Sequence, residues 1–220
     1  MKNHYRRFLY LLFIICYLLF LCSCLGINAD IALNQNGSGT ITLEYQISKA
    51  LDSLGRLDGN ERWNTIPAGR ADFERTLDRL PEIKLLSFSS GENDMNLIIT
   101  AKMEFQSMNG LLAFLDASGR RSSFSGDARS GSLVLNLHEG TTSKNADLNK
   151  LIAKISEGYS VKMSMTFPGE GNLAIVNPEG KPLTSLQGSE INSRGKKVSF
   201  SVPLYEIISS AGGIRAEFRW

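Results

Sequence analysis

Met95-Asn-Leu-Ile-Ile-Thr-Ala-Lys-Met-Glu-Phe105 is the stretch that decides the fold. Met95, Leu97, Ile99, Ala101, Met103 and Phe105 place an apolar side chain at every second position. Successive side chains of a strand point to opposite faces, so this alternation gives a strand with one face buried and the other largely wet. That pattern belongs to antiparallel sheets. On its N-terminal side, 83–89 reads as a second strand, joined through Gly91-Glu-Asn-Asp94. On its C-terminal side the period changes. Met108, Leu111, Leu112 and Leu115 mark a helix over 107–117, with Gly119 in the stop position.

Further out, the same two periods recur. Residues 29–34 predict a strand, and Asn36-Gly37 predicts a tight hairpin turn in which both residues take positive φ. The returning strand over 39–47 alternates Ile41, Leu43, Tyr45 and Ile47 with polar residues. Residues 51–69, with Gly55, Gly59 and Pro67, read as a loop with room for one helical turn, and Phe73, Leu77 and Leu80 predict a helix over 71–80 that stops at Pro81. A hairpin follows, with strands over 121–125 and 132–138. Leu148, Leu151, Ile152 and Ile155 then give a helix over 146–157, with Asn145 as N-cap. Beyond it come strands at 159–167, 173–176, 197–202 and 214–220, with a short helix at 203–209. Hairpins dominate. The expectation is an α+β domain, a largely antiparallel β-sheet with about three helices packed on one side. Within 39–137 the order strand–helix–strand–strand–helix–strand also fits a ferredoxin-like split unit.

The N-terminus has a different composition. Lys2, Arg6 and Arg7 precede an unbroken apolar run of 14 residues, Phe8 to Leu21. That length suits the core of a secretory signal, whereas a membrane-spanning helix needs roughly 20 residues. Leu21-Cys22-Ser23-Cys24 follows and resembles a bacterial lipobox. The resemblance implies diacylglyceryl transfer to the Cys24 thiol, palmitate-type acylation and cleavage before Cys24, giving a signal peptide over 1–23 and a single domain over 24–220. The competing reading is an uncleaved anchor, because no charge occurs from Phe8 to Ala29. Either way the cationic end stays inside and the domain lies outside.

Composition narrows the chemistry. Cys16, Cys22 and Cys24 are all the cysteines, so the exported part has no thiol for a disulfide or a sulfur-ligated metal. Three of the 24 Lys/Arg lie in 1–23, leaving 21 against 22 Asp/Glu and a net charge of −1. Such a balance gives no electrostatic reason to expect nucleic acid. His138 is the sole histidine after the n-region residue His4, so Ser-His-Asp and Cys-His catalysis lack a base with partners, and the common zinc sites lack ligands. Asn34-Gln-Asn36-Gly37 is a poor calcium loop, because Ala32 and Leu43 occupy positions that need carboxylates. Gly188 and Gly195-Lys196-Lys197 have the wrong spacing for a phosphate loop. Asp72/Glu74 and Asp116/Asp127 show no spacing that favours glycosidase work over solvated surface. The sequence therefore predicts no catalytic residues, no cofactor and no metal.

What remains is apolar. Met95, Met103, Phe105, Met163, Met165 and Phe167 alternate along two strands, and Met lines adaptable binding surfaces because its side chain is flexible and polarizable. They are the candidates for a hydrophobic ligand pocket; the competing role is plain core filling.

The chain after the lipobox resembles the LppM-type lipoprotein domain, a family of bacterial envelope lipoproteins. The resemblance rests on Ala29-Asp-Ile-Ala-Leu-Asn with Asn36-Gly-Ser-Gly-Thr40-Ile, on Gly158-Tyr-Ser-Val leading to Met165-Thr-Phe-Pro-Gly169, and on Lys197-Val-Ser-Phe200-Ser-Val with Ala216-Glu-Phe-Arg-Trp220. It implies an α+β domain with some similarity to lipid-binding folds and no established catalytic residues. Some members also carry a C-terminal transmembrane helix, whereas this sequence reads as strand up to Trp220. The resulting expectation is a non-enzymatic lipoprotein on the extracytoplasmic side of the cell membrane or outer membrane. It would meet the membrane through the lipid on Cys24 and bind a lipid or hydrophobic ligand. The alternative is a structural or adaptor lipoprotein that docks onto another envelope protein.

Overall fold

Alternation of apolar residues on nearly every strand leaves one apolar face to cover, and the chain covers it by curling one sheet around its own core. The computed structural model describes residues 26–49, 69–94, 96–116, 122–140, 156, 158–183 and 186–220. The expected signal segment with Cys24, nearly all of the expected loop over 51–69, Met95 and most of the expected helix over 146–157 lie outside the described residues.

The described residues form ten strands: β1 (Gly26–Leu33), β2 (Gly39–Ser48), β3 (Ile83–Glu92), β4 (Asn96–Phe105), β5 (Ser122–Gly126), β6 (Gly131–His138), β7 (Ser160–Val176), β8 (Glu190–Asn192), β9 (Arg194–Pro203) and β10 (Ile214–Arg219). The described helices are short: α1 (Arg70–Leu77), α2 (Met108–Leu115) and α3 (Leu204–Ser209). The strands form one sheet in the order β3-β4-β2-β1-β7-β10-β6-β5, with β9 on β7 and β8 on β9. Every pairing is antiparallel except β1 with β7, which makes the sheet mixed.

That one parallel pair places the first strand in the middle of the sheet. Gly26 lies beside Ser160, and Ser160 beside Pro203. The ferredoxin-like reading holds only for its first three strands: β3-β4-β2 lie in the order it needs and pair antiparallel, Ile41 opposite Met103, but β1 and not the β5–β6 hairpin takes the other edge of β2. The two ends of the order, β3 and β5, do not pair with each other. Helix α2 touches β3, β4 and β5, so it spans the gap between the ends of the curl. Ser107 caps α2 by accepting a hydrogen bond from the Gly110 N–H at 3.1 Å, and the Ser107 hydroxyl donates to Glu82.

The inward residues form one cluster. Ile31, Ile41, Ile99, Met103, Phe105, Leu133, Met165, Val198 and Phe218 come from seven strands, and Phe73, Leu77, Met108, Leu111 and Ile207 come from all three helices. The fold is thus α+β with the helices few and small, as a minority cover on a large sheet.

β7 is longer than the sequence suggests. Strands over 159–167 and 173–176 are expected with a break at Pro168-Gly169, but a single strand of 17 residues runs through. Its register against β9 slips between Thr166 and Gly171, so Pro168 sits where no ladder bond is required of it. The slip lets the first half of β7 pair with β1 and the second half with β10.

The β1–β2 turn also differs from expectation. Only Gly37 takes positive φ, at 86°. Asn34 N–H donates to Ser38 O at 2.8 Å, and Asn36 Oδ1 accepts from the Ser38 N–H and hydroxyl, so the turn is a longer loop held by side chains.

Candidate ligand cleft

Register places four strands side by side at one region of the sheet. Asn28, Lys162, Ser201 and Glu190 stand in one row across β1, β7, β9 and β8, and Ser164, Ser199 and Asn192 continue the next row from Asp30. Residues in a row share a face, and alternation puts the row between them on the opposite, core-facing side. That intervening row is Ala29, Met163, Phe200 and Ile191.

These residues border a shallow cleft of about 440 Å³, to which Asn28, Lys162, Ser164, Ser199, Ser201, Glu190 and Asn192 of the two polar rows contribute together with Met163, Phe200 and Ile191 of the strands between them. Asn192 Nδ2 donates to the Lys197 carbonyl at 3.0 Å, and Lys197 Nζ reaches Asp30 Oδ2 at 2.6 Å. Both contacts brace the β1–β9–β8 rim. The apolar row grows more accessible toward the edge: Phe200 is 2% exposed, Met163 8% and Ile191 40%. The cleft thus offers hydroxyl, amide, ammonium and carboxylate groups, while the accessible Ile191 lies on the other face of the same edge strand. It has the chemistry to hold a polar head group.

A second cleft of about 440 Å³ lies at the opposite end of β1. Gln35, Asn36, Gly37, Ser107, Asn109 and Arg129 contribute to it, from the β1–β2 turn, the start of α2 and the β5–β6 turn. Asp127 Oδ1 accepts from the Arg129 and Ser130 N–H groups there, and these bonds hold its carboxyl below the usual range.

Of the residues singled out in the sequence, Met103, Phe105, Met165 and Phe167 are at most 1% exposed and belong to the core cluster. Met163 alone among them also reaches a described cleft. Cys24 and Met95 lie outside the described residues. Asp72 and Glu74 are paired along α1 with Arg75 and Arg70, and Asp116 is buried at the end of α2. Among the described residues no group of three or more His, Cys, Asp or Glu is arranged to hold a metal ion.

Sequence reading missed Lys162, Glu190, Ile191 and Phe200. Phe200 is visible as a strand residue, but Glu190–Asn192 is a three-residue strand inside a Gly-rich polar stretch and has too few positions to show a period.

No family model matches the chain. No curated protein matches it either. A solved structure does. It is the NMR structure of the folded domain of LppM from Mycobacterium tuberculosis, 18% identical, with 89% of this chain and 90% of that one covered at a TM-score of 0.39. At that score the likeness carries no residue role, ligand or partner across, and the cleft stands on this chain's own geometry.

Proposed function

We propose that this chain is a lipid-anchored, non-enzymatic bacterial envelope protein that binds a lipid or similar amphiphile, its head group in the β1–β7–β9–β8 cleft. The anchor is read from Leu21-Cys-Ser-Cys24 at the end of the apolar run. The observation that carries the ligand is the cleft bordered by the two polar rows, which gathers hydroxyl, amide, ammonium and carboxylate groups suited to a polar head group, with the exposed Ile191 on the other face of the same edge strand. Met103, Phe105, Met165 and Phe167 then serve as the packed layer behind the cleft.

The test is native mass spectrometry of residues 25–220, gently extracted and offered a panel of phospholipids and glycolipids. A co-purifying lipid lost on Ser199→Trp, which fills the cleft from the solvent side, supports the reading. Protein that ignores the whole panel overturns the ligand. A second reading, an adaptor that docks on another envelope protein, is favoured by the outer edge of β3, unpaired among the described residues, where the Leu85/Ser87 register slip leaves Leu86 46% exposed.

A further inference from the structure

We infer that the end of the sheet at which β1 begins rests on the bilayer, with Ile27, Tyr159, Leu204 and Tyr205 at head-group level; this builds on the lipid anchor at Cys24. Two peptide steps separate Cys24 from Gly26, the first residue of β1. A chain advances at most about 3.6 Å per residue, so the acyl-bearing residue lies within roughly 7 Å of the start of the strand. A tether that short leaves the domain little freedom to stand off from the lipid.

The neighbours of Gly26 are fixed by pairing. Ser160 begins β7 beside it and Pro203 ends β9 beyond that, so Tyr159 and Leu204-Tyr205 emerge next to the tether. The Leu204 N–H donates to the Tyr159 carbonyl at 2.7 Å and holds the two segments together. Ile27 is 46% exposed although it belongs to the core-facing set of β1, and Tyr159, Leu204 and Tyr205 are partly exposed. Tyrosines prefer the membrane interface because the ring is apolar and the hydroxyl is wet. At this end Lys49 pairs with Glu92 at 3.2 Å, and Glu206 is hydrogen-bonded to the Tyr205 hydroxyl. The eight residues of β1 then lead away from the bilayer and carry the Asn34–Ser38 turn to the far end. The polar cleft, which starts at Asn28, sits close to the membrane, and the cleft at Asn36 and Arg129 faces away from it.

The experiment uses the full chain, lipidated in a bacterial host and reconstituted in phosphatidylcholine–phosphatidylglycerol vesicles. Cleavage before Cys24 and acylation of its thiol leave no free cysteine, so Ile27→Cys, Tyr205→Cys and Gln35→Cys each accept one spin label; all three replace residues outside the core, and melting curves check their fold. The expected result is a several-fold higher oxygen-to-nickel accessibility ratio at 27 and 205 than at 35, with 35 fully aqueous. Acylated protein with all three labels equally aqueous, or with 35 the deepest, overturns the orientation and leaves the anchor intact. An intact-mass spectrum without acyl chains on Cys24 overturns the anchor and the orientation with it, and the two failures are read on separate instruments.

Discussion

Gly39 begins β2 and has the closest surroundings of any described glycine. A Cβ built there would lie 2.1 Å from the Ala32 carbonyl oxygen and 2.3 Å from the Phe105 ring. Neither neighbour has room to yield, since one is backbone of the paired strand and the other a fully buried ring. Gly39→Ala should therefore destabilise by about 1–3 kcal/mol or more, as overpacking does. Gly91→Ala, with nothing within 4 Å of the added methyl, is the control and should stay within about 0.5 kcal/mol; urea melts read both. Tyr45 gives a second expectation at this scale. Burial, and then the Asp72 carboxylate, push its phenol above the ordinary 10.0. A folded-state pKa above the unfolded one gives stability that is complete below pH 10 and declines as pH rises beyond it, because only the unfolded chain ionises easily. Tyr45→Phe should flatten that alkaline decline in a series of thermal melts. Residues such as these are half legible in the sequence. Tyr45 reads as inward from alternation alone, whereas the need for Gly39 comes from Phe105, a contact between β2 and β4 that no local pattern announces.

At the scale of elements, Trp220 ties three pieces of the curl. Its ring stacks on Phe167 of β7 with centroids 5.0 Å apart and on Phe124 of β5 at 6.0 Å. Its backbone exchanges hydrogen bonds with Gly131 of β6 at 3.0 Å, and its indole N–H donates to the Asp127 carbonyl. Stacked aromatic pairs contribute about 0.5–1.5 kcal/mol each beyond area, so Trp220→Ala should cost roughly 2–4 kcal/mol, measured by urea denaturation followed by circular dichroism. Trp220→Phe should recover most of the loss. Strands with sustained alternation, β4 and β10 among them, are legible in the residues alone, because period two survives any sheet order. The continuity of β7 is not. Pro168-Gly169 punctuates the sequence, and only the slipped register against β9 shows why the strand passes through.

For the whole molecule, anchoring and metal independence are the expectations to check. Cys24→Ala should leave an unprocessed precursor without fatty-acid label, since stable attachment takes two or more acyl chains, each buried methylene contributing roughly 0.8 kcal/mol. The purified domain should keep its melting temperature in chelator and hold no transition metal at one equivalent, given His138 as its single histidine and no cysteine after Cys24. Sheet order is the least legible property. Hairpins are foreseeable because turn and strands are contiguous, but the β1–β7 pair joins residues far apart in sequence and rests on which edges are left to match. The candidate cleft inherits that difficulty, since its rows exist only once β1, β7, β9 and β8 stand together.

That distant pair also sets a schedule. Exported as proposed above, the chain would deliver β1 before β7, yet one edge of β1 is completed by residues 160–166. Until those residues cross, β1 has β2 on one side and an open row of N–H and C=O groups on the other, a state that invites wrong partners. Closure over so long a loop is also slow, because the entropy of bringing the ends together is lost before any contact compensates it. A chain stopped at residue 140 should therefore remain protease-sensitive in pulse proteolysis, while one carried to Trp220 becomes resistant. Under the proposed export, the first strand to cross the membrane would be among the last to be finished.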